Sequence, residues 1–552
     1  MSDITTRKRN AGRAIPMAIT LFVLCMVLYV QGTGAGADKA GILKLSVIDA
    51  VTGKPTPARI ELLDQQGKAW IASDAVPVGG GMGNKKATLE QALAKTTRNI
   101  IDPDTGIHYF YSAGASQVEL PAGKYKMRVF KGTEFHVPVR EINVAAGQTV
   151  DLELKLTRWV DMPAQGWYSA ESHMHIPRFS KEINPFISKW MQAEDLHVAN
   201  LLEYGGPGGM GSSPQFAHGP DGLYQEGDYL LASGQENPRT KTLGHAIILG
   251  ARTPIHMPET YFVYQSFWQE AMRQNALSGV AHGNSGGGFA VDLPDGLLSF
   301  IEVLQQNRGL YDGWYLMLNS GFRLAPVAGT DYSCERHNST ALNALPGRER
   351  FFVRVDGPLT YASWLDGLRR GRTFVTNGPV LEFMLAGKGI GAEVALKEAG
   401  SLAVQASVRF DPARDKVERL EIIENGKVLR TFTALEKPGE IRCQLNYQAE
   451  EPSWLAVRAS GTKPVTSFRG KKDLLPSLAH SGAIYVTLEN APPLKAQRRA
   501  KLAAGEWLKR LEMLEQRVKE PSANELKRNE KDRLALLKRI EAAKKYFLDV
   551  GR

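Results

Sequence analysis

The stretch that decides how this chain is interpreted is Gly166-Trp167-Tyr168-Ser169-Ala170-Glu171-Ser172-His173-Met174-His175. It ends in a His-X-His pair. On a strand, His173 and His175 project from the same face, so both imidazoles can reach one metal ion. Such pairs also arise by chance, and taken alone this one leaves open a ligand pair or two ordinary histidines.

Isolated histidine and carboxylate residues recur at the edges of apolar runs farther along the chain. They are Glu203, Glu236, His245, His282 and Asp331. All but His245 directly follow a run, and His245 precedes one. Because the carboxyl ends of barrel strands converge, we expect these side chains to lie near the histidine pair. Imidazoles combined with carboxylates suit zinc, manganese or iron.

The segment 159–376 alternates short apolar runs with helical stretches such as 264–277. Strands separated by helices predict βα units and a parallel sheet or barrel. His197 lies within an apolar run, where a buried core histidine is expected more often than a catalytic one.

The flanking segments have a different texture. Residues 41–158 and 377–490 alternate apolar and polar positions with turn signals, which predicts two β-sandwich-like domains. An insertion at 73–115 shows no clear periodicity and is predicted to be a loop. Residues 491–552 carry apolar residues at helical spacing, which predicts an α-helical hairpin packed on its own chain, with packing on a second subunit as the alternative.

Five ordered blocks resemble the PHP (polymerase and histidinol phosphatase) superfamily, and more closely its CehA/McbA-type metallohydrolases. The blocks are residues 166–175, 191–199, 233–236, 318–331 and 368–379. With the flanking sandwich, which is similar to a carboxypeptidase-regulatory-like domain, the likeness covers most of residues 41–490.

The resemblance implies a PHP-type distorted (β/α)7 barrel that binds divalent metals. His173 and His175 match the family's first ligand pair, and Glu236 matches its bridging carboxylate. His245, His282 and Asp331 match the ligands that follow.

Two positions depart from the family pattern. The chain has Leu202-Glu203-Tyr204 where Thr-Asp-His is usual, and Asp331-Tyr332-Ser333 where Asp-X-His is usual. Glu203 is retained as a candidate ligand, and Glu182 is a loose match for an early acidic ligand. One or two metal ions are therefore expected rather than three.

These residues predict a hydrolase that activates water to cleave an ester, phosphoester, carbamate or amide bond in a small-molecule or polymer-derived substrate. Glu236 and Asp331 are the expected catalytic groups, and Arg239 is expected to orient an anionic group. The alternative is a non-catalytic exported scaffold or glycan-binding protein with a degenerate metal site. A glycosidase with two carboxylates has little support, because no local carboxylate pair marks it.

The composition limits the partners. The net charge is +10, but residues 491–552 hold 17 Lys plus Arg and 9 Asp plus Glu, so the rest is nearly neutral and no nucleic-acid groove is expected. Residues 1–37 have the layout of a signal peptide, which predicts export to the periplasm or beyond, with an uncleaved membrane anchor as the alternative. Cys334 and Cys443 are expected to be buried free thiols, and the sequence leaves the oligomeric state open.

Overall fold

The computed structural model describes residues 39–551 except 80–87, 95, 103–104, 285–287, 306–307, 335–344, 462–464, 467–472, 475, 494–496 and 521–524. The predicted signal peptide therefore lies outside the described residues. Within the described part, no helix is both long enough and apolar enough to cross a membrane. The protein is multidomain and consists mostly of strands in several sheets, with few helices.

The N-terminal region forms two sheets around one apolar core. Its elements are β1 (Gly41–Asp49), β2 (Ala58–Asp64), α1 (Leu89–Leu93), β3 (Ile100–Ile101), β4 (His108–Ser112), β5 (Ala115–Leu120), β6 (Gly123–Phe130), β7 (Val139–Val144) and β8 (Thr149–Leu156). The sheet orders are β5-β1-β8 and β3-β4-β2-β6-β7. Leu43, Leu45 and Val47 are buried, as their alternation predicts.

The prediction of a loop across 73–115 is wrong for part of that segment, which contains α1, β3 and β4. β4 lacks period-two alternation because both of its faces are buried. Phe110 packs in the sandwich core, while Tyr109 and Tyr111 pack against the next region.

The middle region contains most of the helices. Its elements are β9 (Trp167–His175), α2 (Asn184–Ala193), β10 (Val198–Gly206), β11 (Gly209–Ser212), β12 (Tyr224–Glu226), β13 (Tyr229–Thr240), β14 (Gly244–Leu249), α3 (Gln265–Arg273), β15 (Leu277–Val280), β16 (Leu298–Gln305), β17 (Arg308–Gly309), α4 (Tyr311–Asn319), β18 (Ala325–Gly329), β19 (Tyr332–Ser333), β20 (Arg350–Arg354), α5 (Tyr361–Arg369) and β21 (Thr373–Thr376). The predicted helix at 264–277 is shorter than expected, because Asn275 has a φ of 58° and ends it.

The strand pairings of this region give β9 partners on both of its edges. β9 pairs with β10, β10 with β13, β15 with β16 and β16 with β18, all in parallel. β14 lies antiparallel between β13 and β15. β19, which follows β18, returns to β9. The carboxyl ends of the parallel strands therefore meet at one edge, where the predicted site residues lie.

The C-terminal region packs on the middle region. Its elements are β22 (Val380–Leu385), β23 (Lys388–Gly389), β24 (Glu393–Leu396), β25 (Gly400–Arg409), β26 (Arg419–Glu424), β27 (Lys427–Phe432), β28 (Glu440–Ala449), β29 (Ser453–Ser460), β30 (Val465–Thr466), β31 (Asp473–Leu474), β32 (Leu478–Ser481) and β33 (Ile484–Leu488). β29 is buried on both faces: Trp454 and Ala456 join the middle core, while Leu455 and Val457 join the C-terminal one.

The chain ends in two long helices, α6 (Arg498–Lys519) and α7 (Glu530–Gly551). Trp507 and Leu511 of α6 and Phe547 of α7 are buried in the middle core, so the helices pack on their own chain as predicted. Cys334 and Cys443 are both buried, and neither forms a disulfide among the described residues, as expected.

Candidate metal centre

The two histidines of β9 face a common space. The period of the strand places them on one side, and the Nε2 atoms of His173 and His175 lie 3.2 Å apart. Both are buried, at 0% and 4% exposure. The strand thus presents two imidazole nitrogens at one point, as the motif predicts.

The Nδ1 atoms orient the imidazole rings. Nδ1 of His173 lies 3.1 Å from Glu302 Oε1, and Nδ1 of His175 lies 3.1 Å from the Leu202 carbonyl oxygen. Nδ1 of His282 lies 2.6 Å from Gln305 Oε1. Such contacts fix a ring and direct the opposite nitrogen inward, an arrangement typical of metal-binding histidines.

Glu236 lies in the middle of the cluster on β13. Its Oε1 is 2.6 Å from His245 Nδ1 and 3.4 Å from His282 Nε2. Its Oε2 is 3.4 Å from His175 Nε2. The two carboxylate oxygens therefore face different histidines, as a bridging carboxylate requires.

Asp331 and His282 follow the ends of β18 and β15. Asp331 Oδ1 lies 3.2 Å from His175 Nε2 and 3.4 Å from His173 Nε2. Both residues have positive φ, 55° for Asp331 and 56° for His282. This conformation is uncommon for residues with a side chain and is found at functional sites.

Two sets of potential ligand atoms lie within 4.8 Å of one another: His173, Glu236 and His282, and His173, His175 and Asp331. His173 Nε2 has one lone pair and can serve one ion only, whereas Glu236 can serve two. The described residues can therefore hold a divalent metal ion.

The charges of the cluster agree with this donor set. Burial alone would lower the pKa of His173, but the carboxylates of Glu302 and Asp331 raise it well above its usual range. Burial would raise the pKa of Glu236, but hydrogen bonds with His173 and His175 lower it well below its usual range. The carboxylates are thus ionised and favour cationic charge, which a divalent ion supplies.

Two further predicted residues, Glu203 and Arg239, differ in whether they reach the cluster. Glu203 does not join the cluster: its Oε2 lies 3.5 Å from His218 Nε2 and accepts from the Gln215 backbone N–H. Neighbouring side chains on a strand point to opposite faces, and here Tyr204 points toward the centre, with its ring centroid 4.5 Å from that of His175. Arg239 does reach the cluster, with Nε 3.2 Å from Glu236 Oε2.

Sequence reasoning missed Glu302 and Gln305 on β16. Glu302 is fully buried, accepts from Ser172 Oγ and from the His282 backbone N–H, and contacts His173. Its signal was a single carboxylate inside the apolar run 298–304. A charge in such a run is seldom buried unless it is paired, so the pattern indicated a buried partner.

The remaining candidates lie apart from the centre. His197, at the start of β10, is buried, stacks on Tyr229 and contacts Ser169 Oγ through Nδ1 at 2.8 Å, as expected for a core histidine. Glu182 is exposed.

Comparisons with known proteins add little. No protein-family model matches the sequence, and no curated protein matches it. Among solved structures, the chain matches a two-domain protein of Bacteroides vulgatus that contains a predicted PHP-like metal-dependent phosphoesterase, at 13% identity and a TM-score of 0.29. The match covers 57% of this chain and 96% of that one. A TM-score this low does not establish a shared fold, so the site is interpreted from its own residues.

Proposed function

We propose that the protein is an exported divalent-metal-dependent hydrolase. The observation that carries the proposal is the convergence of His173, His175, Glu236, His245, His282 and Asp331 from separate strands. The histidine rings that are oriented through Nδ1, together with the ionised carboxylates, form a donor set for zinc, manganese or iron. Export rests on the sequence of residues 1–37.

A bound divalent ion would supply Lewis-acid activation of water and of the scissile group. The chain's own residues would do the rest. Glu236 directs Oε1 toward His245 and His282 and Oε2 toward His175. Glu302 holds His173 and the His282 backbone in place. Arg239, with 35% of its side chain exposed and its guanidinium over Tyr204, is placed to orient an anionic substrate group.

We further propose that the middle region is a distorted (β/α)7 barrel of the PHP type, nearest to the CehA/McbA hydrolases. The order of the resembling blocks and the positions of the six converging residues support this. The bond cleaved is an ester, phosphoester, carbamate or amide. The domain limits proposed are 41–158, 159–376, 377–490 and 491–552.

One observation favours a second candidate, a non-catalytic exported scaffold or glycan-binding protein. Tyr204 packs against His175 and Ser333 follows on β19, at the two positions where the family pattern has further histidines. A metal held there without turnover would be structural.

Metal analysis of purified residues 38–552, followed by a hydrolase screen, tests the proposal. We expect one or two equivalents of metal, turnover of at least one of phosphoester, carboxyl ester, carbamate and amide substrates, and loss of both with His173→Ala. His218→Ala, a buried histidine outside the cluster, is the matched control and should retain metal. Bound metal without turnover favours the scaffold, and metal content unchanged in His173→Ala contradicts both.

A further inference from the structure

A cavity of about 280 Å³ lies toward the ends of β13 and β14 that are remote from the candidate metal centre. Its lining includes Ser233 near the start of β13 and Gly250 directly after β14. At about 3.3 Å per strand residue, Gly250 is about 17 Å along the chain from His245. The cavity is therefore separate from the metal centre.

The charged residues that line this cavity are all positively charged. Arg252 and Arg369 line it, and none of its lining residues is acidic. Arg369 donates to the carbonyl and side-chain oxygens of Asn275, at 3.1 and 3.0 Å. Neither arginine forms an ion pair with a carboxylate among the residues that the structure describes. Both arginines are exposed, so two guanidinium groups border the cavity from its solvent side, and neither is neutralised by a carboxylate in the described part of the chain.

A third guanidinium lies behind the cavity wall. Arg178 is fully buried and donates to neutral oxygens, among them the Gly222 carbonyl at 2.8 Å and Ser233 Oγ. No carboxylate in the described part of the chain pairs with it. An unpaired buried cation is costly, and an anion bound nearby would offset part of that cost.

Beside the arginines and the polar residues Ser233, Gln274 and Asn275, the lining is largely apolar. Leu223, Ala251 and Leu365 are among the apolar lining residues, and the Tyr361 hydroxyl donates to Asn200 Oδ1 at 2.8 Å. An apolar floor with a few convergent polar groups is typical of a small-molecule site. Such a floor gains nothing from a bare inorganic anion, which carries no apolar surface.

We infer that this cavity binds a small organic anion, whose acid group is held by Arg252 and Arg369 and whose apolar body packs against Leu365. The inference does not depend on the proposed hydrolase activity.

Calorimetric titration of the purified protein with 3-phenylpropionate, propionate and phenyl phosphate tests the inference, with 3-phenylpropionamide as the neutral analogue. We expect at least one acid to bind and the amide to bind roughly tenfold more weakly or not at all, because charge-assisted hydrogen bonds are lost. The double variant Arg252→Gln/Arg369→Gln should weaken acid binding by about tenfold or more.

Two variants make the result specific. Ala362→Phe narrows the cavity from its exposed rim and should also abolish binding. Arg370→Gln changes the arginine directly after α5, which pairs with Asp366 and does not line the cavity, and this variant should bind like the wild type. The inference is overturned if no acid binds at millimolar concentration, if acid and amide bind equally, if the double variant binds the acid as tightly as the wild type, or if binding is lost in His173→Ala.

Discussion

At the scale of single residues, Glu302 connects parts of the candidate metal centre that come from different strands. It contacts Nδ1 of His173 through both oxygens, at 3.1 and 3.2 Å, and accepts from the His282 backbone N–H at 3.0 Å. A carboxylate in this position raises the basicity of the imidazole that it contacts.

We expect Glu302→Gln to weaken metal binding by about 10- to 100-fold, because the neutral amide no longer supports His173. Competition with a chromogenic chelator measures the affinity. The matched control is Glu421→Gln. Glu421 is a buried carboxylate on β26 that pairs with Arg458 in the C-terminal region, so this variant should leave the metal affinity unchanged. Equal affinities for wild type and Glu302→Gln would refute a positioning role.

Residue patterns predicted the six converging side chains but not Glu302 and Gln305, which orient their rings. The sequence marks Glu236, His282 and Asp331 because each ends an apolar run. Glu203 has the same signature, yet it faces His218, since one step along a strand reverses the direction of the side chain. Which of two adjacent residues faces a centre depends on the register of the strand, and a short apolar run does not specify that register.

At the scale of elements, β9 and β18 approach each other closely beside the metal centre. A Cβ placed on Gly329, the last residue of β18, would lie 2.6 Å from His173 Cβ and 3.1 Å from the His173 backbone nitrogen. Only a glycine allows the two strands to lie at this separation.

Gly329→Ala is therefore expected to displace β9 and lower metal affinity by about tenfold or more, with a stability loss of about 1–3 kcal/mol. Chelator competition and thermal unfolding measure the two effects. Gly389→Ala, where a new Cβ would meet nothing within 4 Å, is the control. A variant that unfolds like the wild type and binds metal normally would show that the strands can separate without consequence.

Strands with one solvent-facing side were predictable, and strands between two cores were not. Leu43, Leu45 and Val47 alternate with polar residues because β1 has one buried face. β4 and β29 show no alternation because a core lies on either side of each. Side chains that pack on these faces lie far along the chain, such as Trp190 against Tyr111 and Trp314 against Trp454, so local periodicity cannot separate such a strand from a buried helix.

At the scale of the whole molecule, the C-terminal helices hold the segments that carry the metal centre. Glu525 accepts from the Thr242 backbone N–H at 3.0 Å, in the turn between β13 and β14. Arg539 of α7 donates to the Val291 carbonyl and pairs with Asp292 at 3.1 Å. The tail therefore contacts both the hairpin of Glu236 and His245 and the segment that follows His282.

We expect Arg539→Gln to lower the free energy of unfolding by about 2–3 kcal/mol near pH 7, because Asp292 is left buried without its cation. Burial raises the pKa of Asp292 to about 6 although Arg539 lowers it, so the pKa rises further in the variant. At a pH above the pKa of Asp292, the folded variant bears the unpaired negative charge of this carboxylate. At a pH below it, Asp292 is protonated and uncharged. The deficit relative to the wild type should therefore shrink as the pH falls toward about 5.

Urea unfolding of both proteins at the two pH values checks this prediction. Lys538→Gln, a neighbouring exposed position on α7, is the control and should show no deficit. A deficit for Arg539→Gln that is independent of pH would assign the loss to packing rather than to charge.

The position of β9 also has a consequence for the order in which the chain folds. One edge of this strand is completed by β10, soon after it in sequence, but the other is completed by β19 and β20, where Phe351 lies opposite Ala170. Closing so long a loop is slow and entropically costly. The nascent chain therefore carries an open edge of β9 until β19 and β20 have been synthesised, and β19 is the partner of the part that holds His175. We expect the metal centre to assemble late, after most of the middle region has left the ribosome.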